Sequence, residues 1–515
     1  MKYDPEFESQ GNMQCRTISA DFTRVKGPCT RQANLCVGSG RAALGLRRIW
    51  QEHLALAHRE CGFTYVRFHA MFHDEMGVVR RKPDRTLSFD WHYLDLLYDG
   101  ILAAGMRPFV ELSFMPAEMA SGDQTIFWWK GNVTPPRDMG EWKLLVTECA
   151  RHLMERYGRD EVAKWYFEVW NEPNLKAFWS GTKEQYFQLY DVTAQAVKGV
   201  CPAFRVGGPA TAGNEWIEDM VNHCAEGRMP LDFIATHDYG VDGVGLDESG
   251  TLQTKLFADR AFVGENMKAI GGRVAASAFP HAEVHYTEWS ASWSPRDPIH
   301  DSYFSAAYIL DNVRRAAGAV TSQSYWTFTD IFEESGPPPS PFHGGFGLIN
   351  REGLRKPAFF AHKFLNELGR EELFNDDPCS WVCRDEGSLT ALLWDYSQPV
   401  SEESNQHIFI RDMPAGDKGT VQLNIRGLPE GKYRLNVYRV GHRSNDVYSA
   451  YRDIGAPPNL TAAQVAALGR ACSGSPEHAS EVVIGTDRTW THRLPMREND
   501  VCFLALAPVR KNIHR

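Results

Sequence analysis

The 515-residue sequence lacks the features that mark several specialised classes of protein. No window approaches the roughly 18 consecutive apolar residues of a membrane-spanning helix, and residues 1–8 lack the charged start and apolar stretch of a secretory signal. There is no polybasic cluster, and the formal net charge is −10. We therefore expect a soluble, cytoplasmic protein that binds neither nucleic acid nor a membrane surface.

Patterns for disulfides, metals and nucleotides are also missing. The 11 cysteines are scattered without CxxC pairs, so a disulfide framework is not expected. The 18 histidines show no His-Glu-x-x-His spacing, and no G-x-G-x-x-G follows a strand and opens a helix. We predict no catalytic metal, no other cofactor and no dinucleotide-binding fold.

What is present is an alternation of short strands with amphipathic helices, together with 15 tryptophans. Runs rich in β-branched and aromatic residues predict strands at 32–37, 65–72, 108–114, 165–170, 204–209, 233–237, 283–288 and 322–328. Apolar residues at three- and four-residue spacing predict helices between them, including 42–61, 141–157, 183–200 and 302–317. Eight such units indicate an α/β fold, a closed (β/α)₈ TIM barrel over residues 35–365.

After residue 365 the pattern becomes β-rich. Strands are predicted at 389–394, 407–410, 420–425, 433–438 and 501–506, with one short helical insert at 461–468 that begins after a Thr461 N-cap. Residues 366–515 are therefore predicted to form an accessory β-sandwich. We expect residues 1–34 to add a strand to it.

Two acidic residues stand at the ends of predicted barrel strands, where barrel enzymes place reactive groups. Glu172 follows the fourth strand in the run Trp-Asn-Glu-Pro-Asn, and Glu288 ends the seventh in the run Thr-Glu-Trp. The fourth and seventh strands lie on roughly opposite sides of an eight-stranded barrel. Two carboxyl groups that face each other across such a mouth are what glycoside cleavage requires, at about 5–5.5 Å for retention and 6.5–9.5 Å for inversion.

These runs resemble those of the (β/α)₈ retaining glycosidases that pair an Asn-Glu acid/base with a Glu nucleophile, and within that clan the chain is similar to glycoside hydrolase family 39. Further matches run in order from about residue 35 to 360. They are Val37-Gly38-Ser39-Gly40, Arg67-Phe68-His69, residues 130–136, His237-Asp238-Tyr239, Trp326 and Ile331-Phe332-Glu333-Glu334. The family also has a C-terminal β-sandwich.

The resemblance implies a role for each matching residue. Glu172 corresponds to the acid/base, Glu288 to the nucleophile, and Asn171 to the residue that hydrogen-bonds the sugar 2-hydroxyl. The other implied substrate-binding residues are His237 and Tyr239 beside the nucleophile, His69, Glu333 and Glu334 on the 3- and 4-hydroxyls, and Phe114 and Trp326 as apolar walls. The negative charge of Glu288 is expected to raise the pKa of Glu172.

Other acids on the same strands have more ordinary explanations. By strand alternation, Glu168 and Glu283 are expected to face helices or solvent, and Glu111 is a candidate buried polar partner.

Within the resemblance, the expected activity is that of an exo-acting β-D-xylosidase on xylo-oligosaccharides. α-L-Iduronidase-like and α-L-arabinosidase activities on the same site are the alternatives, and the Glu333-Glu334 pair opposes a uronate carboxylate. A catalytically silent carbohydrate-binding barrel is the alternative from another class. The sequence does not decide the oligomeric state.

Overall fold

In the computed structural model of the protein, the described residues are 15–247, 250 and 252–509. Within this part of the chain, no helix combines the length and the apolar character needed to cross a membrane. Each of the 11 cysteines has a free thiol.

The described residues form 24 strands and 12 α-helices. The strands up to residue 239 are β1 (Arg16–Asp21), β2 (Val25–Pro28), β3 (Cys36–Arg41), β4 (Tyr65–His69), β5 (Val79–Arg81), β6 (Leu87–Phe89), β7 (Arg107–Leu112), β8 (Thr125–Ile126), β9 (Gly131–Asn132), β10 (Tyr166–Val169), β11 (Arg205–Ala212) and β12 (Phe233–Tyr239). The remaining strands are β13 (Val241–Leu246), β14 (Leu252–Leu256), β15 (Glu283–Ser290), β16 (Ser322–Tyr325), β17 (Glu371–Leu373), β18 (Ser380–Arg384), β19 (Leu389–Trp394), β20 (Asp417–Arg426), β21 (Gly431–Val440), β22 (His478–Ile484), β23 (Thr489–Arg497) and β24 (Val501–Pro508).

The helices surround the barrel and join it to the β-rich part. They are α1 (Arg48–Cys61), α2 (His92–Ala103), α3 (Met139–Tyr157), α4 (Arg159–Val162), α5 (Lys183–Val200), α6 (Ile217–Gly227), α7 (Phe262–Ala275), α8 (Phe304–Arg315), α9 (Pro357–Glu367), α10 (Asn405–Ile408), α11 (Val447–Asp453) and α12 (Ala462–Ala471).

Eight parallel strands close into a barrel in the order β3, β4, β7, β10, β11, β12, β15, β16. This confirms the predicted (β/α)₈ fold. Seven of the eight predicted strands overlap their observed counterparts closely. The first does not, because residues 32–34 form a 3₁₀ turn and the strand runs from Cys36 to Arg41.

The interior of the barrel is filled in layers, as such barrels require. At the amino-terminal end of the strands the layer is aromatic, with the rings of Phe109 and Tyr166 stacked 4.7 Å apart and the His285 ring 4.6 Å from Tyr166. Above this lies a buried charged layer that contains Arg67 and Glu168. Beyond these layers, a cavity opens at the carboxyl ends of the strands.

The remaining large sheets pack face to face as a β-sandwich. One has the order β1-β20-β23 and the other β2-β17-β18-β19-β24-β21-β22, with buried side chains of both sheets in a shared core that includes Ile18, Leu423, Leu393 and Leu504. Residues 16–28 therefore contribute one strand to each sheet. The segment expected to complete the sandwich also includes residues 1–14, which lie outside the described residues.

Two short predictions in this region had opposite outcomes. The helical insert is present as α12, and Thr461 forms a capping box with Gln464. The strand predicted at 407–410 is wrong, because residues 405–408 form α10. Asn405 and Gln406 hydrogen-bond Asp297 and Thr254 on the barrel, which holds this turn in helical form.

Candidate active site

The end of β10 turns sharply so that successive side chains point in different directions. Trp170 and Glu172 both have left-handed backbone angles, with φ of 68° and 44°, and such angles are uncommon outside glycine. Trp170 is directed outward and packs on Trp179 at 5.1 Å, whereas Asn171 and Glu172 line the cavity at the barrel mouth. The amide of Glu172 donates to the Ala210 carbonyl at 2.8 Å, which holds the turn in place.

The carboxylates of Glu172 and Glu288 meet across this mouth. The nearest oxygens of the two groups and the imidazole of His237 all lie within 4.8 Å of one another. His237 Nδ1 is 2.9 Å from Glu172 Oε1 and 3.7 Å from Glu288 Oε2. Carboxylate oxygens this close fit the roughly 5–5.5 Å separation of a retaining pair better than the roughly 6.5–9.5 Å of an inverting one.

A local irregularity in β15 allows two adjacent residues to point into the barrel. Pairing shifts register between Thr236 and His237 on one side of β15 and between Tyr286 and Trp289 on the other. Bulges of this kind re-aim side chains beside active sites. As a result, Thr287 contacts the charged layer below, while Glu288 lines the cavity above it.

Arg67 is the central cation of the site and was not among the site residues predicted from the sequence. Its guanidinium donates to Glu288 Oε1 at 2.5 Å, to Glu168 Oε2 at 2.8 Å and to Asn171 Oδ1 at 2.8 Å. It also pairs with Glu111 at 2.8 Å. With Tyr239 donating to Glu288 Oε2 at 2.7 Å, both oxygens of Glu288 accept hydrogen bonds that stabilise its anionic form.

Glu168 is one of the partners of Arg67, and the expectation that it faces helices or solvent is wrong. Its side chain is fully buried inside the barrel. Residues separated by an even number along a strand share a face, so Glu168 points inward together with Tyr166. Glu283, at the start of β15, is partly exposed beside Arg205, and Glu111 is the buried polar partner that was anticipated.

His69 carries a positive charge between two acids. Burial lowers the pKa of His69, but Glu111, 2.8 Å from Nδ1, and Glu334, 3.6 Å from Nε2, outweigh it and raise the pKa to about 10. Burial also raises the pKa of Glu334 to about 7, although His69 opposes this. The pair therefore presents a cation and a titratable acid to the cavity.

The pKa of Glu172 is raised to about 7, mainly because the carboxyl group is buried. His69 and Arg67 act in the opposite direction. The charge of Glu288 was expected to raise the pKa of Glu172, but the main cause is the removal of Glu172 from water. His237 is held neutral, because burial lowers its pKa to about 3.

The cavity has a volume of about 690 Å³ and two chemically different parts. Around the paired carboxylates the wall is polar and includes His69, Asn171, Tyr239 and Glu334, with Trp326 as an apolar face. Towards the mouth it is lined mainly by side chains that sequence patterns did not reveal, which are Ile126, Phe127, Leu175, Phe178, Val241, Phe257, Phe262 and Trp293. They come from the segments between barrel strands, including β8, β13 and the start of α7, whose proximity depends on the closed barrel.

Three of the predicted substrate-binding residues lie behind the cavity wall. Phe114 is completely buried and stacks 6.0 Å behind His69. Glu333 turns away from the cavity, with ion pairs to Arg41 at 3.0 Å and Arg47 at 2.6 Å. His237 lies beneath the two carboxylates.

Trp326 lies on the wall because Gly38 leaves room for it. A Cβ added at Gly38 would come within 2.3 Å of the Trp326 ring. This close contact explains the glycine in the Val37-Gly38-Ser39-Gly40 motif.

Glu172, His237 and Glu288 form the one group of three or more histidine, cysteine or acidic side chains close enough to hold a metal ion, as far as the described residues extend. Their ligand atoms are already engaged. His237 hydrogen-bonds Glu172 and Thr287 through its two nitrogens, and Arg67 and Tyr239 donate to Glu288. We therefore assign no metal to them.

Comparisons with known proteins agree with this geometry. The family model described as glycosyl hydrolases family 39 matches residues 17–484. A β-xylosidase of Caldicellulosiruptor saccharolyticus is 38% identical over 478 residues, which cover 91% of this chain and 94% of that protein. A β-xylosidase of Geobacillus stearothermophilus is 43% identical over 366 residues, covering 70% of this chain and 73% of that protein.

One solved structure is also similar to this chain in both fold and sequence. The crystal structure of a monomeric β-xylosidase from Caulobacter crescentus CB15 has a TM-score of 0.93 and 43% identity, and the match covers 96% of this chain and 100% of that one.

Proposed function

Because the chain belongs to the family 39 glycosyl hydrolases, we propose that it is a retaining, exo-acting β-D-xylosidase that releases xylose from the non-reducing end of xylo-oligosaccharides. The observation that carries this proposal is the pair of Glu172 and Glu288, whose nearest carboxylate oxygens lie within 4.8 Å. The β-xylosidases that match most of the chain support the choice of sugar.

In the first step, Glu288 attacks the anomeric carbon while Glu172 gives its proton to the departing glycosidic oxygen. Glu288 is suited to attack because Arg67 and Tyr239 hold it as an oriented carboxylate. Asn171, itself oriented by Arg67, is placed to bond the sugar 2-hydroxyl, a contact that strengthens as the transition state forms. The product is a xylosyl ester of Glu288.

In the second step, Glu172 removes a proton from water, and the resulting hydroxide displaces Glu288 from the anomeric carbon. The two inversions give net retention, and both glutamates return to their starting states. Glu172 has to be protonated at the start, and its pKa of about 7 allows this in mildly acidic and neutral solution. As pH rises above 7, kcat/KM should fall for substrates whose leaving group needs protonation.

The polar part of the cavity favours xylose over a uronate. Glu334 lies at the wall, and its acid group opposes a sugar carboxylate. No lysine or arginine occurs among the described residues that line this cavity, and the cationic His69 at the wall is already paired with Glu111 and Glu334. α-L-Iduronidase-like activity therefore has less support. A silent binding protein has less support because both glutamates are present and lie close together, and a substrate panel decides between the xyloside and the α-L-arabinoside.

The roles of the two glutamates are tested by comparing leaving groups. Glu288→Ala should abolish turnover of both dinitrophenyl and phenyl β-xylosides. Glu172→Ala should lose turnover of the phenyl substrate but keep formation of the glycosyl-enzyme from the dinitrophenyl substrate, because dinitrophenolate leaves without a proton. Equal loss of that first step on both substrates would exclude Glu172 as the proton donor.

The choice of sugar is tested by assaying nitrophenyl xyloside, arabinoside, glucoside and iduronide with the same enzyme preparation. Highest kcat/KM on the xyloside is expected. A preference for the iduronide or the arabinoside would overturn the choice of xylose without affecting the mechanism.

A further inference from the structure

A continuous line of buried hydrogen bonds joins Glu172 to Glu168, an acid that the proposed reaction does not use. Glu172 Oε1 is 2.9 Å from His237 Nδ1, and His237 Nε2 is 3.1 Å from Thr287 Oγ1. Thr287 Oγ1 donates to Glu168 Oε1 at 2.7 Å. All four side chains are buried.

The direction of these bonds depends on the number of protons available. A neutral imidazole carries one N–H and one lone pair, and a threonine hydroxyl has a single proton to donate. When Thr287 donates to an ionised Glu168, its oxygen accepts from His237 Nε2–H. His237 Nδ1 is then an acceptor, and its bond to Glu172 requires a proton on the Glu172 carboxyl.

The opposite direction requires the proton to be on Glu168 and Glu172 to be ionised. Burial raises the pKa of both acids to about 7, so near neutral pH they hold about one proton between them. Arg67 Nε donates to Glu168 Oε2 at 2.8 Å, whereas no lysine or arginine pairs with Glu172 among the described residues. The direct charge-assisted bond from Arg67 favours the arrangement with the negative charge on Glu168 and the proton on Glu172.

We propose that Glu168 is a positioning residue which, through Thr287, fixes His237 as the Nε2–H tautomer and thereby holds the proton on Glu172. The proposal rests on the acid/base role proposed for Glu172. It assigns to the buried charged layer a direct influence on the reacting carboxyl above it.

The arrangement has a consequence for the second chemical step. After Glu172 has given its proton to the leaving group, Glu168 and Glu172 are both ionised, and the lone pair of His237 Nδ1 faces the Glu172 carboxylate. The contact between His237 Nδ1 and Glu172 is then unfavourable, because two acceptors face each other with no proton between them. A proton taken from water by Glu172 restores all the bonds, so the line strengthens Glu172 as a base in the step that needs one.

Other charged or titratable groups also surround the two acids, and a test must separate their fields from the hydrogen-bonded line. Those that act on Glu172 or Glu168 from the neighbouring strands, helices and loops include Arg67, His69, Glu111, Tyr239, Glu288 and Glu334, together with Cys36 and Tyr186.

The test is the pH dependence of kcat/KM on phenyl β-xyloside in a double-mutant cycle with Glu168→Gln and Thr287→Val. In Glu168→Gln, the amide oxygen faces Arg67 and the amide NH₂ donates to Thr287, so every bond in the line reverses and His237 Nδ1–H donates to Glu172. The alkaline limb, which is the fall of kcat/KM as pH rises, should move to lower pH by about one unit. A shift of this size corresponds to the free energy of one hydrogen bond to a charged group. With Thr287→Val already in place the line is cut, and Glu168→Gln should leave the limb in place.

Thr287→Ser is the matched control, because it keeps the hydroxyl and should keep the wild-type limb. An equal shift from Glu168→Gln with and without the Thr287→Val substitution would show that only the charge of Glu168 matters, and no shift in either case would show that Glu168 has no influence; both results overturn the proposal. A purely structural role would lower kcat/KM at every pH without moving the limb.

A measurement on the wild-type protein does not depend on the variants folding. ¹⁵N spectra of histidine-labelled enzyme at neutral pH should show His237 with a protonated Nε2 and an unprotonated Nδ1. The Nδ1–H tautomer would overturn the proposal. Because this measurement requires no turnover, its result does not depend on the assigned reaction. It therefore tests the direction of the hydrogen bonds in the line separately.

Discussion

Two adjacent acids, Glu333 and Glu334, have different surroundings although they share one motif. Glu334 lines the cavity next to His69. The Glu333 carboxylate is directed to Arg41 and Arg47 instead, and the paired arginines lower its pKa even though burial opposes them. Of these two acids, Glu334 is the one whose side chain lines the cavity.

Substitution of each acid by glutamine should separate binding from structural support. Glu334→Gln removes a charged acceptor for a hydroxyl and should lower kcat/KM on nitrophenyl xyloside by roughly 10- to 100-fold, the value of one such hydrogen bond. Glu333→Gln, the matched control, should change kcat/KM by less than about threefold and lower the free energy of unfolding instead, because Arg41 is buried. A larger catalytic loss in Glu333→Gln would contradict the geometry described above.

The facing positions of Glu172 and Glu288 could be predicted from the sequence because each residue lies at or just beyond the end of a predicted barrel strand. Arg67 and Glu168 could not, since a charged residue within a strand gives no sign of the partners it will meet. Their burial is tolerated only because β4, β7, β10 and β15 bring opposite charges together inside the barrel.

At the level of elements, the long loop after β16 is held by a single buried lysine. Lys356 Nζ is 2.6 Å from both Asp301 and Asp330 and donates to the Gly345 carbonyl at 2.8 Å. Asp330 in turn accepts from the Gly347 amide at 2.7 Å. These contacts fix the loop that carries Glu334.

Removing this cation should be costly. Lys356→Met leaves the carboxylates of Asp301 and Asp330 buried without their cation, and the free energy of unfolding measured with denaturant should fall by about 3–5 kcal/mol. Lys363→Met, on the following helix, has partly exposed partners in Glu60 and Glu367 and should cost about 1 kcal/mol or less. Similar losses for the two variants would show that Lys356 does not hold the loop.

Elements with strong periodic patterns were predictable, and those fixed by distant contacts were not. Helix α5 has the predicted bounds of 183–200 because a capping box at Thr182 and a continuous apolar face specify it locally. The run at 407–410 has the composition of a strand, but contacts of Asn405 and Gln406 with Asp297 and Thr254 fix a helical turn at 405–408 that overlaps it. A local pattern contains no information about those partners.

For the molecule as a whole, α9 is the helix on which barrel and sandwich meet. Phe364 stacks on Phe503 of the sandwich at 5.1 Å, and the carbonyl of His362 accepts from Asn34 beside the first barrel strand. The His362 ring is completely buried next to Phe63 and Tyr325. Burial lowers its pKa to about 3.

This histidine should make the protein sensitive to acid. In the unfolded chain His362 binds a proton below pH 6.5, whereas in the folded state it stays neutral down to about pH 3, so stability is lost as pH falls through that window. At pH 4.5 the loss is about 3 kcal/mol relative to neutral pH. His362→Phe should therefore reduce the fall in unfolding free energy between pH 7.5 and 4.5 by about that amount, and an unchanged fall would contradict the role assigned to His362.

The central claim of the account is that Glu288 forms a covalent bond to the sugar during turnover. The most direct measurement is peptide mass mapping after incubation with a 2-deoxy-2-fluoro-β-xyloside that carries a dinitrophenolate leaving group. The account predicts one labelled peptide, with the fluorosugar on Glu288, and the same site of labelling in the Glu172→Ala variant. A label on another carboxylate, or hydrolysis with inversion and no label, would contradict it.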